Sequence, residues 1–390
     1  MDKLVKIKMQ RNNIFEKLLT KKSIQFWDEP VSDEVNLLEK KFSMPVINNL
    51  TYLSADDLKK IPKQELYRLI VDGQFHKKEN GWLKYAKREP NSLSACFNAL
   101  QLALSTINHH PNLSIKLIKE VHQAATINVA RLNPHTKPGE FRLHQGGFLL
   151  IQGAYPFISQ NGFIQLFEKV NKEYIDYGAC ISAISQAEAV SLNSTTFYNQ
   201  VLSLKNSIES ADKLWGKISE FFAQDILFYR APDSSNLEFL LENICEEYNL
   251  NIHKAIGLEE KLNIITETIQ NIEQLHPFPD ANGRTSLIIL QRLLIQNNFY
   301  PAMLYNPNYI DGYHISELII EIKKGIQNTT LIIQHPELAI YNYQTQFFLQ
   351  SNEKNNDQFF NKIIDNYYFA ENDIYQYLQS IKFTSIFKLK

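Results

Sequence analysis

Between residues 276 and 284 the chain reads His-Pro-Phe-Pro-Asp-Ala-Asn-Gly-Arg. An imidazole, a carboxylate, an amide, a glycine and a guanidinium thus fall within nine positions. An imidazole titrates near neutrality and can take the proton of a hydroxyl. A carboxylate such as Asp280 suits a Mg2+ ion shared with phosphate oxygens. A guanidinium such as Arg284 grips phosphate through two hydrogen bonds. Asn282-Gly283 offers flexible backbone at the start of a helix, where unpaired N–H groups and the helix dipole attract anions. Taken singly, a histidine beside a helix is a cap and Asn-Gly is a turn. In this order they suit attack by a protein hydroxyl on a nucleotide phosphate. His276 is then the base and Asp280 the Mg2+ ligand. Ala281, Asn282, Gly283 and Arg284 form the phosphate cradle, and Phe278 packs inward to fix the loop.

Two helices must hold this loop. In 258–275, Leu258, Leu262, Ile265, Ile269 and Ile272 step by four and three, which makes one apolar stripe. Pro277 and Pro279 forbid its continuation. A new helix is expected from about Arg284. It is apolar on most faces and therefore central, and Asn297, Asn298 and Pro301 end it. A further helix is expected over about 313–333, and an amphipathic one over 112–127. Residues 137–153, with Pro-Gly, then Gly-Gly, then a short apolar run, predict a single β-hairpin. The expected organisation is an N-terminal helical extension (1–63), a first segment ending in the hairpin (64–153), and a mostly helical insertion (154–252). A core carrying the 276–284 loop (253–335) and an aromatic-rich helical tail (336–390) follow.

The composition bounds what surrounds this site. The chain has 390 residues, 44% hydrophobic, enough for a real core. Lys+Arg number 40 and Asp+Glu 42, so nothing suggests a nucleic-acid surface. Cys96, Cys180 and Cys245 are scattered and read as reduced thiols. No stretch approaches 18 consecutive apolar residues, so no membrane-spanning helix is expected. The basic N-terminus lacks the apolar run of a signal peptide. His109-His110 reads as a solvated loop rather than a metal site.

The order H-P-F-x-D-x-N-G-R resembles the signature of Fic-domain proteins, HxFx(D/E)GNGRxxR. Enzymes of that family transfer nucleotide-derived phosphate groups to protein hydroxyls. Upstream, KPGEFR (137–142) and FLLIQG (148–153) resemble the family's flap, a hairpin that clamps the segment to be modified. Gly139, Phe141, Arg142 and Gly153 are the matching residues. The resemblance implies a mainly α fold, a Fic-type helical bundle with one β-hairpin flap and a helical insertion. It gives His276, Asp280, Asn282, Gly283 and Arg284 the roles read above. It also makes Arg142, Gln145, Gly146, Gly147, Phe148, Leu149 and Leu150 the target-binding flap, whose backbone adds a strand to the target.

The chain departs from that signature twice: Ala281 stands where the family has glycine, and Leu287 where it has a second arginine. The second arginine holds the far end of a triphosphate, so Leu287 argues against ATP in the ordinary orientation. The Asp-Ala-Asn core, the stretch 71–90 and the stretch 306–318 resemble the phosphocholine-transferring members. These use CDP-choline and modify a switch-region hydroxyl of Rab GTPases. The expectation is therefore phosphocholine transfer from CDP-choline, with Mg2+, to a Ser or Thr of a small GTPase, by a bacterial protein secreted into a host cell. Transfer of AMP, UMP or CMP from a nucleoside triphosphate, phosphorylation, and a non-catalytic module that binds a nucleotide or a GTPase stay open. Trp82 with Arg88-Glu89-Pro90, and Tyr305, Asn306 and Asp311, are candidate pocket residues. The helix around 91–100 lacks the (S/T)xxxE(G/N) glutamate that restrains many Fic proteins, so no such brake is expected.

Overall fold

In the computed structural model, the residues described are 60–61, 63–71, 85, 89–130, 132–152, 155–156, 158–185, 225–304 and 307–334. They are mainly helical. The main helices are α1 (Ser92–Ser105), α2 (Ile115–Thr126), α3 (Gln160–Lys169), α4 (Leu237–Ile252), α5 (Gly257–Leu275), α6 (Asn282–Gln296) and α7 (Ile315–Gln334). The single turn Tyr309–Gly312 lies between α6 and α7.

The striped helix and its successor form as the periodicity predicts. α6 is buried along almost its whole length, from Thr285 to Ile295, and packs against α5, α1 and α2. It begins at Asn282, two residues earlier than expected, so the Asn-Gly dipeptide is its first turn. α2 starts later than the apolar pattern suggests. The Ser114 hydroxyl accepts the Leu117 N–H, a cap that fixes the first turn. Arg292, fully buried on α6, donates to Ala103 O, Thr106 Oγ1 and His110 O and so caps the end of α1.

The single-hairpin expectation is corrected. The strands are β1 (Gly147–Gln152), β2 (Tyr155–Pro156), β3 (Cys180–Ser185) and β4 (Asp225–Arg230), in the antiparallel order β2-β1-β4-β3. Residues 137–146 form no strand, and the main partner of β1 is β4, from the segment read as a helical insertion. That insertion is therefore mixed: β3, β4, α3 and α4 all fall in 154–252. Gly146-Gly147 marks close approach rather than a turn. A Cβ on Gly147 would lie 2.0 Å from Tyr229 O, and one on Gly146 would lie 2.5 Å from the Arg142 guanidinium. The extension before residue 60, the tail from 335 onward, Trp82, Arg88, Gly153, Tyr305 and Asn306 lie outside the described residues.

Candidate active site

α5 ends on His276, whose backbone is left-handed (φ 48°, ψ 58°) and whose N–H returns to Glu273 O and Ile272 O. This residue is the C-cap, so the end of the striped helix delivers the imidazole into the loop. The carbonyls exposed there are taken by Arg142. Its guanidinium donates to His276 O at 2.7 Å, to His144 O at 3.0 Å, to Leu275 O at 3.4 Å, and to Pro232 O. The Arg142 N–H also donates to Pro277 O at 2.9 Å. Arg142 is 3% exposed, and burial lowers its pKa to about 10 without discharging it near neutrality. The expectation that Arg142 belongs to a target-binding surface is thus corrected: it is a buried clamp under His276.

The loop itself closes on Asn282. Its side-chain oxygen accepts the Phe278 N–H at 2.9 Å and its amide donates to Phe278 O at 2.8 Å. The Asn282 side chain is thus occupied in holding the loop closed. What Asn282 leaves for an anion is its backbone N–H. The N–H groups of Asn282, Gly283 and Arg284 precede the first helical bond of α6, from Thr285 N–H to Ala281 O. Gly283 is exposed, so this helix end opens to solvent. Ala281 is left-handed too (φ 60°, ψ 20°), a conformation that costs an L-residue about 1 kcal/mol or more. Phe278 is buried as expected, under His122 and Phe141.

Asp280 accepts the Ala281 N–H on one oxygen at 2.6 Å and the Asn133 N–H on the other at 2.9 Å. Among the described residues no group of three or more His, Cys, Asp or Glu side chains could hold a metal. Mg2+ bound to a diphosphate asks the protein for only one or two carboxylates. Asp280, partly exposed and with lone pairs to spare, fits that demand.

The His276 ring is half-buried beside Phe148 of β1, with centroids 5.8 Å apart. Its Nδ1 is shut off from solvent and has no hydrogen-bond partner. Burial, with the Arg142 charge behind it, lowers its pKa to about 4, so the ring is neutral at pH 7 and ready to accept a proton. Arg284 Nη2 lies 2.6 Å from Glu89 Oε2, while its Nη1 is buried and unpaired. Leu287, at the place of the second arginine, is buried in the core.

Two acids stand behind the cradle. Glu273, 4% exposed, accepts the Ser286 hydroxyl at 2.5 Å and shares a side-chain hydrogen bond with Asp311. One Glu273 oxygen lies 3.8 Å from where a Cβ on Gly283 would be, directly under the open helix end. Burial raises both carboxyls far above the usual range, and for Asp311 the nearby Glu273 charge adds to it. The backbone around Asp311 is tied to α5: Gln270 donates to Ile310 O and Tyr313 O, and Gln274 to Asp311 O. Sequence reading reached Asp311 but missed Glu273 and His122. A signal existed, since Thr266, Gln270 and Glu273 recur at helical spacing and are all buried, an odd set for a core face.

The flap residues divide. Gln145 is exposed and donates to Ala231 O at 2.7 Å. Gly147, Phe148 and Leu149 face Arg230, Tyr229 and Phe228 across the β1–β4 ladder. Leu150 is buried in the core. On its other side β1 meets β2 only at Ile151 and Gln152, so among the described residues no strand covers that edge from Gly147 to Leu150.

The Fic/DOC family model matches residues 184–294, a span that runs from the end of β3 through the 276–284 loop into α6. Over 311 residues the chain is 30% identical to phosphocholine transferase AnkX of Legionella pneumophila; the match covers 77% of this chain and 32% of AnkX. The chain thus spans about a third of that relative. A solved Fic domain containing signaling protein from Bacteroides thetaiotaomicron superposes with a TM-score of 0.36 at 10% identity, over 89% of this chain and 94% of that one. So weak a superposition supports no argument about this site.

Proposed function

We propose that this chain, a Fic-family protein related to AnkX, transfers phosphocholine from CDP-choline to a Ser or Thr hydroxyl of a small GTPase. The observation that carries this reading is the buried Glu273–Asp311 pair, with Glu273 beneath Gly283. Two contacting carboxyls in a buried site retain a proton because both cannot ionise without a countercharge. A quaternary ammonium supplies that countercharge and needs no hydrogen bond. A nucleoside triphosphate brings only more negative charge, and Leu287 offers its third phosphate no grip.

In the reaction, the backbone N–H groups of Asn282, Gly283 and Arg284 and the Arg284 guanidinium hold the diphosphate. Asp280 would hold Mg2+, which supplies further charge neutralisation on the diphosphate when bound. The target hydroxyl is laid beside Phe148 by a strand added to the uncovered edge of β1. The neutral His276 takes its proton as the oxygen attacks the phosphorus that bears choline. A P–O bond to the target forms, the P–O bond to CMP breaks, and CMP leaves with the electron pair. The likeness to AnkX supports a protein target and a site of action inside a host cell. Among the described residues no helix is long and apolar enough to cross a membrane.

The test is calorimetric binding of CDP-choline and of CDP to the wild type and to Glu273→Gln. CDP-choline should bind the wild type at least tenfold more tightly than CDP, and Glu273→Gln should erase most of the difference. Equal affinities in the wild type would remove the choline reading and favour a nucleotidyl donor.

A further inference from the structure

The His122 imidazole, on α2, joins three parts of the molecule. It stacks on Phe278 of the catalytic loop, with centroids 3.7 Å apart and planes 3° from parallel. Its Nδ1 accepts the Gly139 N–H at 2.9 Å, at the root of the flap. Its Nε2 lies 3.2 Å from Asp280 O. A ring nitrogen that accepts an N–H carries no proton, so the proton sits on Nε2 and is donated to Asp280 O. The ring is fully buried, and every polar atom it has is committed to one of these two backbone groups.

The two groups belong to different tasks. Gly139 opens the stretch that leads through Phe141 and Arg142 to β1, the strand read above as the target's docking edge. Its backbone is left-handed (φ 79°) and it approaches α2 closely, since a Cβ there would lie 3.2 Å from Lys119 O. Phe141 leans on Phe278 with centroids 5.7 Å apart. Asp280 carries the carboxylate assigned to Mg2+ and stands next to the left-handed Ala281. With both neighbours strained or tightly packed, the ring is a buried polar link by which α2 holds both the flap root and the loop, while Lys119 of α2 reaches only the flap side, over the Phe141 ring.

We propose that His122 is a positioning residue that sets the flap against the catalytic loop, so that target and donor are aligned by one imidazole. The proposal rests on the reading that the 276–284 loop binds the donor. Two substitutions separate its two bonds. In His122→Gln the side-chain amide reaches the place of Nε2, so the bond to Asp280 O is kept and the acceptor for Gly139 is lost. In His122→Asn the side-chain oxygen stays near the place of Nδ1, so the bond to Gly139 is kept and the donor to Asp280 is lost.

The readouts are the KM for the protein target, kcat, the Kd for CDP-choline with Mg2+, and amide hydrogen exchange at Gly139 and Ala281. His122→Gln should raise the target KM roughly tenfold, leave the donor Kd within about twofold, and speed exchange at Gly139 alone. His122→Asn should weaken donor binding and lower kcat by roughly tenfold, leave the target KM within about twofold, and speed exchange at Ala281 alone. Parallel losses in the two variants, without this split, would show a residue that only packs and would overturn the proposal. If the wild type binds no CDP-choline, the functional reading fails, yet the exchange split still decides the role of His122. If neither variant folds, the 15N spectrum of the wild-type ring decides: a proton on Nδ1 contradicts the coupling, and a proton on Nε2 upholds it.

Discussion

Arg284, the guanidinium proposed to hold the diphosphate, is engaged by Glu89 at 2.6 Å, with the two side chains only 11% and 20% exposed. Glu89 lies just before α1, the helix that lacks the restraining glutamate of many Fic proteins, and it meets the first arginine of the motif rather than the missing second. A diphosphate arriving at Arg284 must share it with this carboxylate and is repelled by it. Glu89→Gln keeps the volume and removes the charge. The expected result is a donor Kd lowered roughly two- to tenfold, as for a partly buried charge pair. An unchanged or weaker Kd would show that Glu89 only aims Arg284.

Ala281 holds a left-handed conformation that glycine adopts freely. Ala281→Gly should therefore raise stability by about 1 kcal/mol while transfer continues. Chemical denaturation reads the gain. A loss of stability would mean that the methyl group, buried at this bend, contributes more by packing than it costs in strain.

Arg142 fills four carbonyls, two of them at the end of α5. Arg142→Lys keeps the charge but cannot span that fork. It should lower stability by about 2–4 kcal/mol, in the range for a broken buried polar network, and lower kcat more than it raises the target KM. A variant of normal stability with only a raised target KM would return Arg142 to the flap surface.

Two groups set the expected pH dependence. The pKa of His276 is pushed down to about 4, so the base is already free throughout the range from 6 to 8 and gives no acid limb there. Glu273 and Asp311 are pushed up, so they hold their proton well above the ordinary carboxylate range and release it as pH rises. An ammonium group binds the ionised pair, so CDP-choline affinity should rise between about pH 5 and 8, above the ordinary carboxylate pKa of about 4.3. Titration calorimetry of the wild type against Glu273→Gln checks this. A limb that survives in the variant belongs to another group.

The loop and the helices flanking it were legible because their signals are local. Prolines stop α5, its stripe repeats at helical spacing, and Asn-Gly opens α6. The sheet was not, because the ladder of β1 runs to β4, far along the chain, and Gly146-Gly147 carries the signature of a turn while serving close packing. β3 and β4 are six-residue runs embedded among helices, too short for periodicity to separate from a helical segment. Arg142 and His122 were hidden for a related reason. What they touch is backbone from distant segments, and carbonyl and N–H groups leave no mark in the residue pattern. Asn282 shows the converse: its position at the loop was legible, but its commitment to Phe278 was not.

Intact mass spectrometry of a panel of small GTPases, incubated with CDP-choline, Mg2+ and either the wild type or His276→Ala, bears on base, donor and product together. The expected result is one added phosphocholine on a GTPase with the wild type and none with His276→Ala, which should remain folded. A nucleotide adduct, or an adduct of equal yield with His276→Ala, would contradict it.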